Sequence, residues 1–189
     1  MNICSYLTLA VTIVLSPLLT GAQENVVESK KTLPLAYDVD VVVAGGTLAG
    51  VEAACAAADA GATVLVVESR PYLGYDICAN QKLWLDADEK PQTRITQYLF
   101  KGKRQVTPVE VKGLLDRALL TRNIKFLTGS FPAELLVDEK GAPSGLTMVN
   151  RSGRQAVRAK VVIDATENAI LTRQTAAKFA PFKPGEKTF

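Results

Sequence analysis

The pattern of apolar and polar positions predicts a strand, a helix and a second strand between residues 39 and 68. Two β-branched runs, at 39–44 and 63–67, are typical of short strands that are buried on both faces. Between them the glycine-rich turn GGTLAG (45–50) leads into the Ala-rich stretch 51–60, which has high helix propensity. Gly61 then supplies a helix stop. This order predicts a parallel βαβ unit.

Further along the chain, the pattern predicts one more helix and several short strands. Thr107 and Glu110 form a capping box with Pro108 at the first helical position, and the helix runs to about Arg122. Its apolar residues recur at helical spacing and predict a buried stripe: Val111, Leu114, Leu115, Ala118 and Leu119. The predicted strands are 124–128, 131–137, 145–149, 155–159 and 161–166. We expect the middle three to form an antiparallel meander and the last to be buried.

The first 22 residues have the layout of a secretory signal peptide. They contain no charged side chain, and an apolar core from about residue 6 to 19 is followed by small residues at 20–22. We therefore predict a signal peptide at 1–22, a polar linker at 23–36 and one domain at 37–189. The protein would be exported to the periplasm or the extracellular space. An uncleaved N-terminal membrane anchor is the alternative.

Composition excludes several classes of site. The 189 residues suit one domain, and the net charge of +3 is too small to predict a nucleic-acid partner. The chain has no histidine, which excludes Ser-His-Asp and Cys-His catalysis and His-ligated zinc. Three cysteines without CxxC spacing predict neither a metal cluster nor a disulfide framework. We predict no metal site and identify no catalytic residue. Any chemistry therefore needs carboxylates, Lys, Tyr, a lone Cys or a bound cofactor.

The glycine turn and the acid after the second strand match a dinucleotide-binding fingerprint. Gly45 permits the tight turn, Gly50 lets the helix approach the sheet, and the helix amino end attracts a pyrophosphate. Glu68 is placed to accept hydrogen bonds from a ribose 2′-OH, which favours FAD or NAD over NADP. Thr47 replaces the middle glycine, and either shifts the phosphate outward or offers it a hydroxyl.

Four segments together resemble the FAD-dependent oxidoreductases of the glutathione-reductase-like superfamily. They are VVVAGGTLAGVEAA (41–54), VLVVESRPYLG (64–74), the helix from Pro108, and AKVVIDATENAILTR (159–173). The resemblance implies an α/β fold, a Rossmann-like FAD/NAD(P)-binding domain with a parallel sheet and an antiparallel β-meander insertion. It also implies FAD as cofactor and hydride transfer to or from the flavin, because plain NAD dehydrogenases lack the meander.

The resemblance assigns cofactor contacts by position. Phe131 would offer backbone groups to adenine, and Glu68 would bind the adenosine ribose. Tyr75 and Glu167 stand where the superfamily commonly has glycine, as does Thr47. The complete set of cofactor-binding candidates is Gly45, Gly46, Thr47, Leu48, Ala49, Gly50, Glu68, Ser69, Arg70, Gly74, Phe131, Ala165 and Thr166.

The resemblance further implies a longer chain, with a substrate domain and a C-terminal glycine-aspartate segment. We therefore expect residues 37–189 to be the N-terminal part of an FAD-dependent enzyme, truncated at the C-terminus. Its partners would be an unknown small-molecule substrate and a missing C-terminal half, with membrane contact only through the N-terminal segment. Two alternatives stay open. One is an NAD-binding Rossmann domain, and the other is a truncated nucleotide-binding fragment without catalysis.

Overall fold

The computed structural model describes residues 31–181 and Gly185, and from Thr32 onward these belong to one compact unit. The predicted signal peptide at 1–22 lies outside the described residues. The strands are β1 (Leu35–Ala44), β2 (Val64–Val67), β3 (Lys125–Leu127), β4 (Phe131–Val137), β5 (Pro143–Asn150) and β6 (Gly153–Asp164). The helices are α1 (Leu48–Asp59), α2 (Tyr75–Cys78), α3 (Arg94–Leu99) and α4 (Pro108–Leu120), followed by a 3₁₀ turn at Thr172–Gln174.

The six strands form a single mixed sheet in the order β3-β2-β1-β6-β5-β4. Four neighbouring strands, β3, β2, β1 and β6, pair in parallel. Beyond β6, the strands β5 and β4 continue the sheet in antiparallel pairing. In register, Ala44 lies opposite Val67 of β2 and Asp164 of β6. The carboxyl ends of β1, β2 and β6 therefore meet at one edge, where α/β sheets commonly bind ligands. This architecture confirms the predicted α/β Rossmann-like fold with its meander.

The last strand corrects one detail of the prediction. The separate strands expected at 155–159 and 161–166 are one strand, β6, which ends at Asp164. Residues 153–158 pair with β5, and residues 156–164 pair with β1. Lys160 interrupts the apolar run, but its ammonium projects outward to Asp40 at 2.6 Å. Lys160, which separates the two predicted strands in the sequence, is thus an outward-facing residue of one continuous strand.

The sheet has a core on each face. Alternate residues of β1 point to opposite sides, so that Val43 packs in the core shared with the helices and Val42 packs with Leu146 and Met148 of β5. The predicted stripe on α4 is confirmed, because Val111, Leu115 and Leu119 are fully buried while Leu114 and Ala118 are partly buried.

Two local boundaries differ from expectation. β1 begins at Leu35, so its first two residues fall within the predicted linker. Helix α4 is capped as expected by Thr107 and Glu110, and it ends at Leu120 rather than Arg122. Among residues 31–181 and Gly185, no helix combines the length and apolar character needed to cross a membrane.

Candidate functional site

A cavity of about 270 Å³ opens at the edge where β1, β2 and β6 end. Most of its walls come from segments that are far apart in the sequence: the glycine turn, the loop after β2, the start of β4 and the loop after β6. Its lining residues are Gly45, Thr47, Glu68, Ser69, Arg70, Tyr75, Phe131, Pro132, Thr166, Glu167, Asn168 and Ile170. Seven of the predicted contact residues are thus brought together: Gly45, Thr47, Glu68, Ser69, Arg70, Phe131 and Thr166.

The glycine turn is packed so tightly that side chains are excluded at two positions. Gly45 has φ +103°, and a Cβ there would lie 2.4 Å from the carbonyl oxygen of Ala165. At Gly50, a Cβ would lie 2.1 Å from the carbonyl oxygen of Gly45. These contacts are the physical reason for both glycines, because only a bare backbone lets α1 and the end of β6 close on the turn.

Thr47 is the N-cap of α1, and its hydroxyl is engaged on both sides. Its Oγ1 accepts a hydrogen bond from the Gly50 N–H at 3.1 Å and donates one to the Ala165 carbonyl at 3.2 Å. A hydroxyl has a single hydrogen. Thr47 therefore replaces the middle glycine of the fingerprint as a cap and a tie to the loop after β6, and its hydrogen is not directed toward the cavity.

The Glu68 carboxylate joins the loop after β2 to the glycine turn. The side chain is only 4% exposed. Its Oε2 accepts from the Gly46 N–H at 2.5 Å, while Oε1 accepts from the Arg70 N–H at 2.6 Å and from the Ser69 hydroxyl at 3.2 Å. A carboxylate has about four acceptor positions. Three are used here, which leaves capacity for a ribose hydroxyl in the cavity that Glu68 lines.

Aromatic and basic side chains form the wall after β2. The Arg70 guanidinium lies 4.0 Å from the centroid of the Tyr75 ring, a cation–π geometry. The ring centroids of Tyr75 and Tyr72 are 6.3 Å apart. The Lys112 ammonium lies 3.7 Å from the centroid of the Tyr72 ring. Tyr75, which replaces a superfamily glycine, thus lines the cavity.

Asp164 organises the loop that follows β6. Its carboxylate accepts from the Thr166 N–H and hydroxyl at 3.1 and 2.7 Å, and from the N–H groups of Leu171 and Thr172 at 2.9 and 2.7 Å. Partial burial raises the pKa of Asp164, but the hydrogen bonds from Thr166 and Thr172 outweigh it, and the pKa is lowered. The sequence prediction missed this residue. Its signal was an acid at the end of an apolar strand, directly before Ala-Thr.

A second missed residue is Asp76 of α2, whose carboxylate lies at the amino end of α1. The Leu48 N–H donates to both carboxylate oxygens of Asp76 at 3.2 Å. Burial raises the pKa of this carboxyl, and the nearby charge of Glu167 raises it further. Its signal in the sequence was an acid placed two residues after Gly74.

The remaining candidates lie next to the cavity and outside its lining. Gly74 donates its N–H to the Gly46 carbonyl at 2.8 Å, and a Cβ there would lie 2.7 Å from Leu115 Cδ1. Ala165 contacts the turn through its carbonyl, and Leu48, Ala49 and Gly50 form the first turn of α1. In residues 31–181 and Gly185, no three His, Cys, Asp or Glu side chains are grouped to hold a metal ion.

Comparison with solved structures shows that other proteins share this fold. THI4 from Thermovibrio ammonificans superposes with a TM-score of 0.58 at 18% identity, covering 72% of this chain and 61% of that chain. A geranylgeranyl bacteriochlorophyll reductase-like protein from Thermoplasma acidophilum gives 0.54 at 20% identity, covering 75% and 43% respectively. The anhydrotetracycline hydroxylase OxyS from Streptomyces rimosus gives 0.53 at 19%, covering 78% and 35%. The chain thus spans about three fifths or less of these neighbours.

Comparison by sequence identifies the family. No curated protein matches this chain significantly. The family described as FAD dependent oxidoreductase matches residues 40–181, which include the glycine turn, Glu68 and the loop after β6. The predicted resemblance, enzyme class and cofactor are thereby confirmed at the level of the family. This chain belongs to the FAD-dependent oxidoreductase family.

Proposed function

We propose that this chain binds FAD in the cavity at the ends of β1, β2 and β6, and that it is the N-terminal FAD-binding part of an exported oxidoreductase. The observation that carries the proposal is the convergence of the Glu68 carboxylate, the glycine turn and Thr166 on one cavity. When bound, FAD supplies hydride chemistry at its flavin. The protein's residues bind and orient it.

The residues fit the adenosine and diphosphate parts of FAD. Glu68 has acceptor capacity at the cavity for a ribose hydroxyl, and the amino end of α1 offers N–H groups and a positive dipole end to a diphosphate. Phe131 begins β4 in the cavity wall, and we assign its backbone groups to an adenine edge. Thr166 lines the opposite wall.

The cavity volume of about 270 Å³ suits a nucleoside rather than a whole FAD molecule. Together with the coverage of 61% or less of the structural neighbours, this favours a flavin pocket and substrate site that are completed by further polypeptide. The proposed partners are that C-terminal half and a small-molecule substrate. Export is proposed from residues 1–22, with membrane contact through that segment alone.

The test is FAD binding by the purified chain. We expect a yellow chromophore, or quenching of flavin fluorescence on titration. Glu68→Gln keeps the size of the side chain but turns an amide NH₂ toward one of its N–H donors, and it should weaken FAD binding at least about tenfold (~1.4 kcal/mol). Glu139→Gln, on the exposed turn between β4 and β5, is the matched control.

The outcomes separate the alternatives. NAD binding in preference to FAD would favour the plain NAD-binding domain. Nucleotide binding without reduction of the bound flavin by any donor would favour the non-catalytic fragment. If wild type binds FAD and Glu68→Gln binds it equally well, the assignment of the adenosine site is wrong.

A further inference from the structure

The amino end of α1 already holds an anionic group. Of the amides in its first turn, Gly50 is capped by the Thr47 hydroxyl, and Leu48 donates to the Asp76 carboxylate. Helix amino ends attract anions through unpaired N–H groups and the helix dipole. The proposed function assigns this same helix end to the FAD diphosphate. A side-chain carboxylate is therefore bonded to one of the N–H groups that the diphosphate would use.

The Asp76 carboxylate and a bound diphosphate would compete for the Leu48 N–H. The Leu48 N–H has one hydrogen, and both Asp76 oxygens lie 3.2 Å from the Leu48 nitrogen. An ionised Asp76 would also place a negative charge beside the phosphate charges, which is unfavourable in a partly buried setting. Either the carboxylate takes up a proton, after which it can donate a hydrogen bond to a phosphate oxygen, or its side chain turns away.

We propose that Asp76 sets the dinucleotide affinity of the chain by competing with the diphosphate for the Leu48 amide, so that FAD binding is coupled to proton uptake at this carboxyl. The inference rests on the proposed function, since it concerns the same site. It makes Asp76 a binding-site residue that the family resemblance does not assign.

The groups around Asp76 act on its pKa in both directions. Burial and Glu167 raise it, hydrogen bonds from the N–H groups of Leu48, Asp76 and Ile77 lower it, and the pKa is raised overall. Glu167, in the loop after β6, lines the cavity and raises the pKa of Asp76, after the larger effect of burial. The first turn of α1 carries no charged side chain. On α2 itself, the Cys78 thiol interacts with Asp76 and also with Lys112 of α4, and burial raises the pKa of this thiol.

The competition between Asp76 and the diphosphate determines how the FAD affinity depends on pH. Because binding favours the protonated carboxyl, FAD affinity should increase as the pH falls through the pKa of Asp76 in the free protein. The FAD diphosphate has no terminal phosphate group and stays ionised over this range, so it contributes no opposing titration. The terminal phosphate of ADP titrates near pH 6, so the pH slope is taken from FAD alone. Removing the carboxylate should abolish most of the slope and tighten binding where Asp76 is charged.

The experiment titrates the full chain with FAD, ADP and adenosine from pH 8 down to about pH 4, near the ordinary carboxyl value from which burial raises the pKa of Asp76. Asp76→Asn should bind FAD and ADP about tenfold more tightly than wild type at pH 8, and its pH profile for FAD should be flat. Adenosine, which lacks phosphates, should bind both proteins equally. Asp86→Asn, an exposed acid paired with Lys82, is the matched control and should behave as wild type. Circular dichroism establishes that each variant is folded.

Two results would overturn the proposal: the same affinity and pH slope in Asp76→Asn as in wild type, or weaker ADP binding by the folded variant. If Asp76→Asn does not fold, Asp76→Ser and the wild-type pH profile decide, and a wild-type affinity independent of pH rejects the coupling. Absence of FAD and ADP binding in every variant at every pH would instead reject the proposed function on which the inference rests.

Discussion

The backbone N–H of Gly46 donates a 2.5 Å hydrogen bond to the Glu68 carboxylate. This bond joins residues that are 22 positions apart and ties the glycine turn to the end of β2. Glu68 therefore has a structural role in addition to the binding role that the fingerprint assigns to it. It holds the turn in shape, and in the proposed function it also binds the ribose.

Gly45→Ala should destabilise the protein strongly. The new Cβ would lie 2.4 Å from the Ala165 carbonyl oxygen, at a backbone φ of +103°. We expect a loss of roughly 2 kcal/mol or more in the free energy of unfolding, measured by urea denaturation.

Gly61→Ala is the control for the backbone term alone. Gly61 has φ +89°, but no atom lies within 4 Å of its added Cβ. The Gly61→Ala variant should lose about 1 kcal/mol in the free energy of unfolding. Equal losses in the two variants would show that the contact between the turn and Ala165 is unimportant.

Thr47→Ala should lower stability by about 1 kcal/mol, because it removes the N-cap of α1 and the hydrogen bond to Ala165. Thr47→Ser keeps the hydroxyl and should stay within about 0.5 kcal/mol of wild type. Chemical denaturation monitored by circular dichroism measures both. A Thr47→Ala variant as stable as Thr47→Ser would contradict the capping role.

Asp164→Asn should destabilise the protein at neutral pH by about 1–3 kcal/mol, since an amide cannot accept all the hydrogen bonds that the carboxylate accepts. The pKa of Asp164 is lowered in the folded state. Its contribution to stability is therefore present above the unfolded pKa of about 3.9 and is lost as the pH falls through the folded value.

The difference between wild type and Asp164→Asn should accordingly shrink in strong acid. Urea denaturation at pH 7 and pH 3 measures it. Asp88→Asn, in an exposed turn between β2 and α3, controls for a general loss of charge. A difference that is the same at both pH values would mean that the charge of Asp164 is not what the loop requires.

Export makes a separate prediction. Expressed in a bacterial host, the chain should be recovered outside the cytoplasm, with a mature N-terminus at Gln23. N-terminal mass spectrometry of the recovered protein measures this. Recovery of the intact chain in the membrane fraction would favour the uncleaved anchor, and intact soluble chain in the cytoplasm would contradict both.

The first βαβ unit was predictable because each of its signals is local. The β-branched runs, the alanine stretch and the glycine turn each specify their own structure, and Glu68 follows from its place in the fingerprint. The capping box at Thr107 predicted the start of α4 for the same reason. Local chemistry was enough where the partner lay within a few residues.

The remaining features depend on distant partners. Lys160 looked like an interruption because its partner Asp40 lies 120 residues away. Asp76 and Asp164 looked like ordinary acids, since the amides that they accept from become neighbours only when helices and strands pack. Thr47 could be read as a substitution in a motif, but its bond to Ala165 requires β6 to lie beside β1.

The central position of β6 has a consequence for the order of folding. β1 lies between β2 and β6, and its contacts with β6 join residues about 120 positions apart, such as Asp40 and Lys160. The middle of the sheet therefore cannot assemble until the chain as far as Asp164 is available. Long-range parallel pairing of this kind forms slowly. A delay of this sort would leave the chain unfolded during the proposed export, since residues 1–22 carry no twin-arginine pair and the general route exports unfolded chains.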